Sequence, residues 1–153
     1  MIKTEITAEE IVSILHDMGY RASCEQEGSD VIVHSASQGF MWQLSICDLN
    51  ESQASDFLMF SHLREVNPVL FPVGRICNEF NREAPHGVAT YIMIDDEEIS
   101  NEALINLELA ISLHGGVSED WVRSQITGWD FTIGMFDKKV RECEEPSSKD
   151  ELF

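Results

Sequence analysis

The stretch ALINLELAISL, residues 103–113, can be read as a helix or as a strand, and the choice decides the fold. Leu, Glu and Ala all favour helix. Yet Ile105, Leu107, Leu109, Ile111 and Leu113 take alternate positions, a period of two that belongs to a half-buried strand. Five alternating apolar residues outweigh composition, so the stretch is read as a strand. Downstream, "HGG" at 114–116 turns the chain and Ser118 caps a last helix, with Val117 and Val122 as its hydrophobic staple. Val122, Ile126, Trp129, Ile133 and Val140 maintain a helical stripe. Gly128 and Gly134 each cost about 1 kcal/mol relative to Ala, so this helix is expected to bend or fray.

Upstream, "VATYIMI" (88–94) reads as a strand and "DDEEISNE" (95–102) as an acidic hairpin connection. Before it lies "VGRICNEFNRE" (73–83), a helix with Pro72 suited to its first position and Pro85 and Gly87 to stop it. Val73, Ile76, Cys77 and Phe80 define one apolar face. Asn81 borders that face, whereas Glu79, Arg82 and Glu83 point elsewhere. The earlier segments "RASCEQ", "DVIVHSA", "FMWQLSIC" and "DFLMFSHL" are short strands, the third with Phe40, Trp42, Leu44 and Ile46 on one face. The chain opens on a helix with a capping box, Thr7 to Glu10, a staple of Ile6 and Ile11, and Gly19 at its end. The order is α, three or four strands, α, two strands, α. This is an α+β fold in which an antiparallel sheet packs with helices on one covered face.

The 153 residues make one domain, expected over 1–143, with an acidic, disordered tail at 144–153. There are 28 acidic residues against 10 basic, a net charge of −18, and no cluster of Lys or Arg. That argues against nucleic-acid or anionic-membrane binding, and the acidic excess fits either a basic protein partner or a simply solvated surface. Cys24, Cys47, Cys77 and Cys143 form no C-x-x-C pair, and the opening lacks an apolar signal core. No apolar run reaches the roughly 18 residues of a membrane span. The reading is cytoplasmic.

Chemistry is hard to find. Glu83-x-x-His86 has a di-metal helix spacing, but Pro85 breaks the shared face. The acidic run from Asp95 through Asp96, Glu97 and Glu98 to Glu102 lacks the Gly of a calcium loop, with Ser100 at that position. Ser118 is a helix cap without a nucleophile elbow, and Cys77 is a core thiol. His34 and His62 read as satisfied strand histidines, and no phosphate-cradling glycine loop occurs. No catalytic residue, cofactor site or metal site is therefore assigned. Trp42 and Trp129 belong to the core or its edge. Trp121 lies off the helical stripe and either packs beneath a loop or, with Asp95, Asp96, Glu97 and Glu98, is a candidate for protein interaction.

Several stretches resemble the YbjN domain family, also called the bacterial sensory transduction regulator family. They are "ITAEEIVSILHDMGYRASCEQEGSDVIV" at the start, "NEFNRE" at 78–83, the acidic turn, and "HGGVSED" at 114–120. The likeness spans about residues 6–140. It implies a fold like that of the small acidic type III secretion chaperones, which act as dimers and bind extended client segments. Asn78, Phe80, Asn81, Gly115 and Gly116 would be structural signature residues, with Asn81 as a bridge from helix to neighbouring backbone. The function implied is a non-enzymatic protein-interaction module, chaperone-like or regulatory, and a homodimer. The alternative is a small-molecule or metal-binding sensor or enzyme with a pocket at the sheet, for which His62, His86, Glu83 or Cys77 would have to converge.

Overall fold

The structure is a computed structural model; it describes residues 2–96 and 99–144, without side chains at 95–96 and 99–101. In chain order the elements are β1 (Ile2–Lys3), β2 (Ile6–Thr7), α1 (Ala8–Asp17), β3 (Ala22–Glu27), β4 (Asp30–Ser37) and β5 (Phe40–Cys47). There follow β6 (Ala54–Ser55), β7 (Phe57–Val66), α2 (Val73–Glu83), β8 (Val88–Asp96), β9 (Ile99–Ser112), β10 (Val117–Ser118) and α3 (Glu119–Glu142). The ambiguous stretch is strand from Ala103 to Ser112, within β9, and Leu113 follows the strand end. Leaving out the two-residue strands, the order is α, four strands, α, two strands, α, within the expected α+β arrangement.

Local chemistry explains the helix starts. At α1 the Glu10 N–H donates to Thr7 Oγ1 (3.2 Å) and the Thr7 N–H to Glu10 Oε1 (3.4 Å), closing the capping box. At α3, Ser118 Oγ accepts from the Trp121 N–H at 3.1 Å. Pro72 is the N-cap of α2 rather than its first helical residue. Its backbone is extended, with ψ 90°, and its carbonyl accepts the first helical bond, from Ile76 N–H.

Six strands form one antiparallel sheet in the order β3-β4-β5-β7-β9-β8. Alternation decides its two faces. The row Val33, Leu44, Phe60, Leu109 crosses β4, β5, β7 and β9 and points inward, as does His62 with Leu107 and Ala89. This inner face shares one core with Ile11 and Leu15 of α1, Ile76 and Phe80 of α2, and Trp129 and Ile133 of α3. At its centre Phe60 stacks on Trp129 at 5.3 Å between centroids, with Trp42 at 5.8 Å from Phe60.

The N-terminal segment is laced into the domain by two small ladders, β1 with β10 and β2 with β6. The first crowds Gly116, whose φ is +91° and where a Cβ would sit 2.5 Å from Ile2 Cγ2. Only glycine fits there. α3 runs unbroken through Gly128 and Gly134. A Cβ at Gly134 would meet the Gln38 amide at 2.9 Å, and that amide donates to the Asp130 carbonyl at 2.7 Å. The glycine thus admits the β4–β5 turn onto the helix.

Candidate interaction surface

The edges of the sheet are chemically unlike. β3, "ASCEQE", is exposed along five of its six residues and carries Glu25 and Glu27. Such charges are how an edge strand resists pairing with another chain. β8 has no charge from Val88 to Ile94. It exposes Val88 (56%), Tyr91 (45%), Ile92 (61%) and Met93 (54%), large apolar side chains on both faces of one strand. Val88 and Ile92 lie on the outer sheet face, which also exposes Met41 and Leu63. Tyr91 and Met93 lie on the inner side, where the Tyr91 ring closes on Gly74 of α2.

Asn81 joins α2 to the start of this strand. Its Nδ2 donates to the Ala89 carbonyl at 2.9 Å, and the Ala89 N–H donates to its Oδ1 at 2.7 Å. Asn81 itself is exposed, not buried as an amide with such bonds would suggest, because the clamp sits at the rim of the sheet. Asn78 is exposed one turn earlier, whereas Phe80 is core and meets Phe136 edge-on at 5.5 Å. Gly115 and Gly116 turn the chain after β9 with positive φ. Trp121 is half-buried against the core and not fully exposed. Asp95 and Asp96 close β8, while Glu97 and Glu98 lie outside the described residues.

A second apolar surface lies between α2 and α3, a groove of about 320 Å³ lined by Phe80, Ala84, Phe131 and Met135, with Glu83 and Lys138 at its rim. Phe131 is 64% exposed. Lys139 closes the groove by bonding Glu83 at 2.8 Å, and that bond raises the lysine pKa above its ordinary value.

The four residues of the chemical alternative go separate ways. His62 is buried on the inner face and donates from Nδ1 to the Met41 carbonyl at 2.7 Å. Burial holds its pKa below the usual histidine value, and the nearby Arg64 adds to that. Cys77 is buried in α2, where desolvation pushes its thiol up to about 11, far from a thiolate nucleophile. Glu83 pairs with Lys139, and His86 is exposed in the turn after α2. Among the described residues no three His, Cys, Asp or Glu side chains form a metal-holding group.

Sequence reasoning missed a polar island in the inner face. Arg64 of β7 lies over the Phe40 ring (3.9 Å to its centroid) and bonds Asp137 of α3 at 3.0 Å. Asp137 also bonds Arg141 at 3.0 Å, and Arg64 Nε donates to His62 Nε2 at 3.4 Å. The only local signal was a charged residue in phase with Leu58 and Phe60; its partner lies 73 residues away.

Neither a scan against family models nor a search of curated proteins finds a match. Among solved structures the chain is similar to the crystal structure of YbjN from E. coli, a proposed transcription regulator, at 17% identity and a TM-score of 0.59. The match covers 95% of this chain and 100% of that one. No helix among the described residues is long and apolar enough to cross a membrane. At such identity the likeness speaks for architecture alone, and on it the chain has a YbjN-like α+β fold.

Proposed function

We propose that this chain is a non-enzymatic protein-interaction module, regulatory or chaperone-like, that works in the cytoplasm by binding a segment of another protein. The observation that carries the reading is the set of four exposed apolar side chains on β8, an edge strand without charge between Val88 and Ile94. Exposed contiguous apolar surface marks interaction sites in soluble proteins. The likeness to a proposed transcription regulator fits a regulatory role. A net charge of −18 favours a basic partner and steers its approach. The resemblance to dimeric chaperones adds a homodimer, and Phe131 beside its groove is a helical-side surface suited to a second copy. Trp121 and the acidic residues Asp95, Asp96, Glu97 and Glu98 belong to the interaction surface in this reading, and residues 1–143 form the working domain.

The test is a tagged pull-down from native cytosol at low and high salt, run with the natural chain and with Ile92→Lys. One dominant protein should bind at low salt, leave at high salt and be lost in the variant. The absence of any enriched protein at either salt contradicts the reading, and a partner indifferent to Ile92→Lys moves the binding surface away from β8.

A further inference from the structure

The Asn81–Ala89 clamp reveals which way the β8 backbone points. In an antiparallel strand the N–H and C=O of one residue point to the same side, and successive residues alternate. Ala89 gives both groups to Asn81, so both point away from β9. By alternation Val88, Thr90 and Ile92 bond to β9, whereas Ala89, Tyr91 and Met93 turn their polar groups to the open side of the sheet. Asn81 therefore stands where a residue of a further strand would stand, and satisfies the first outward position. The next two, Tyr91 and Met93, present N–H and C=O pairs roughly 6.8 Å apart, two residues at about 3.4 Å each.

We infer that β8 accepts an added strand alongside Tyr91 and Met93, in a register set by Asn81, and that the occupant is an extended, basic-flanked segment of another protein. This rests on the interaction reading above and names its mode. Side chains of the added strand would lie beside Tyr91 and Met93 on one face and Ile92 on the other, so the centre of the segment is apolar on both faces. Its flanks are basic because β8 and β9 carry no Lys or Arg. Glu108 lies opposite Val88 at one end of β8, Glu102 lies opposite Ile94 toward the other, and the sequence continues into Asp95–Glu98. Strand addition draws its affinity from main-chain bonds and its specificity from alternate side chains. A second copy is the poorer occupant, since it would bring another −18 to the same edge.

The probe is the synthetic peptide KKTVIVTVKK, added to the full chain at low salt, with amide exchange and peptide affinity as readouts. The peptide should slow exchange at Tyr91 and Met93 and leave Ala89, already bonded to Asn81, unchanged. Met93→Pro removes an outward N–H and leaves the bonds to β9 intact, a placement edge strands tolerate. It should weaken the peptide by about tenfold, the scale of one or two lost hydrogen bonds. Peptides N-methylated at alternate amides probe the same bonds with the protein unaltered: one alternation should abolish binding and the other spare it. Asn81→Ala should extend protection to Ala89. Unprotected Tyr91 and Met93 amides, or N-methyl series of equal affinity, overturn the inference. So does a natural dimer lost in Met93→Pro, which would make the occupant a second copy. A natural partner that crosslinks at Phe131 and not at Ile92 overturns the edge assignment while sparing the interaction reading.

Discussion

Asn81 and Ala89 hold each other by two hydrogen bonds, 2.9 and 2.7 Å, across the turn between α2 and β8. One side chain therefore fixes the helix end against the sheet and satisfies a backbone pair on a residue that is only 2% exposed. Replacing Asn81 by Ala leaves both Ala89 groups without their partner. The expected loss is about 1–3 kcal/mol, measured as a lower urea midpoint with an unchanged slope.

The paired glycines after β9 differ in a testable way. Gly115 has a φ of +85° with open space where a Cβ would go, so Gly115→Ala should cost about 1–2 kcal/mol, the left-handed backbone penalty. Gly116 combines the same kind of backbone with the contact to Ile2. Gly116→Ala should therefore cost more than Gly115→Ala in the same thermal or urea melt. Equal effects would mean that β1 does not press on the turn.

His62 makes stability depend on pH. Its folded pKa lies below the unfolded value because burial disfavours the imidazolium; the bond to the Met41 carbonyl opposes this, Arg64 on its own strand adds to it, and Asp137 of α3 acts against it. The unfolded chain thus binds the proton first as pH falls. Stability is whole above the ordinary histidine pKa of about 6.5 and is lost as pH drops from there toward the folded value. His62→Gln removes this titration. The gap in urea midpoint between the natural chain and the variant should move in the variant's favour from pH 7.5 to 5.5.

The domain limit yields a simple expectation. A chain ending at residue 144 keeps every described element, β1 to α3. Its cooperative melting should match that of the full chain, and a lost or broadened transition would place part of the fold in 145–153.

What the sequence made legible was local. The alternation in β9, the Thr7–Glu10 box, the Ser118 cap and the bridging role of Asn81 all depend on residues within ten positions of one another. What it did not disclose needs the sheet order. "VATYIMI" identifies a strand, yet its apolar residues on both faces fit a central strand as well as the edge that β8 is. The ladders of β1 and β2 are two residues long and exist only through distant partners. Gly134 looked like a helix defect because Gln38, the reason for it, lies 96 residues earlier.

The measurement that tests the central claim most directly is photocrosslinking in the native cytosol, with a benzophenone side chain at Ile92 on the β8 edge or at Gln26 on the guarded β3 edge. The account predicts a discrete protein adduct from position 92, diminished by high salt, and none from position 26. No adduct from position 92, or equal adducts from both, would contradict it.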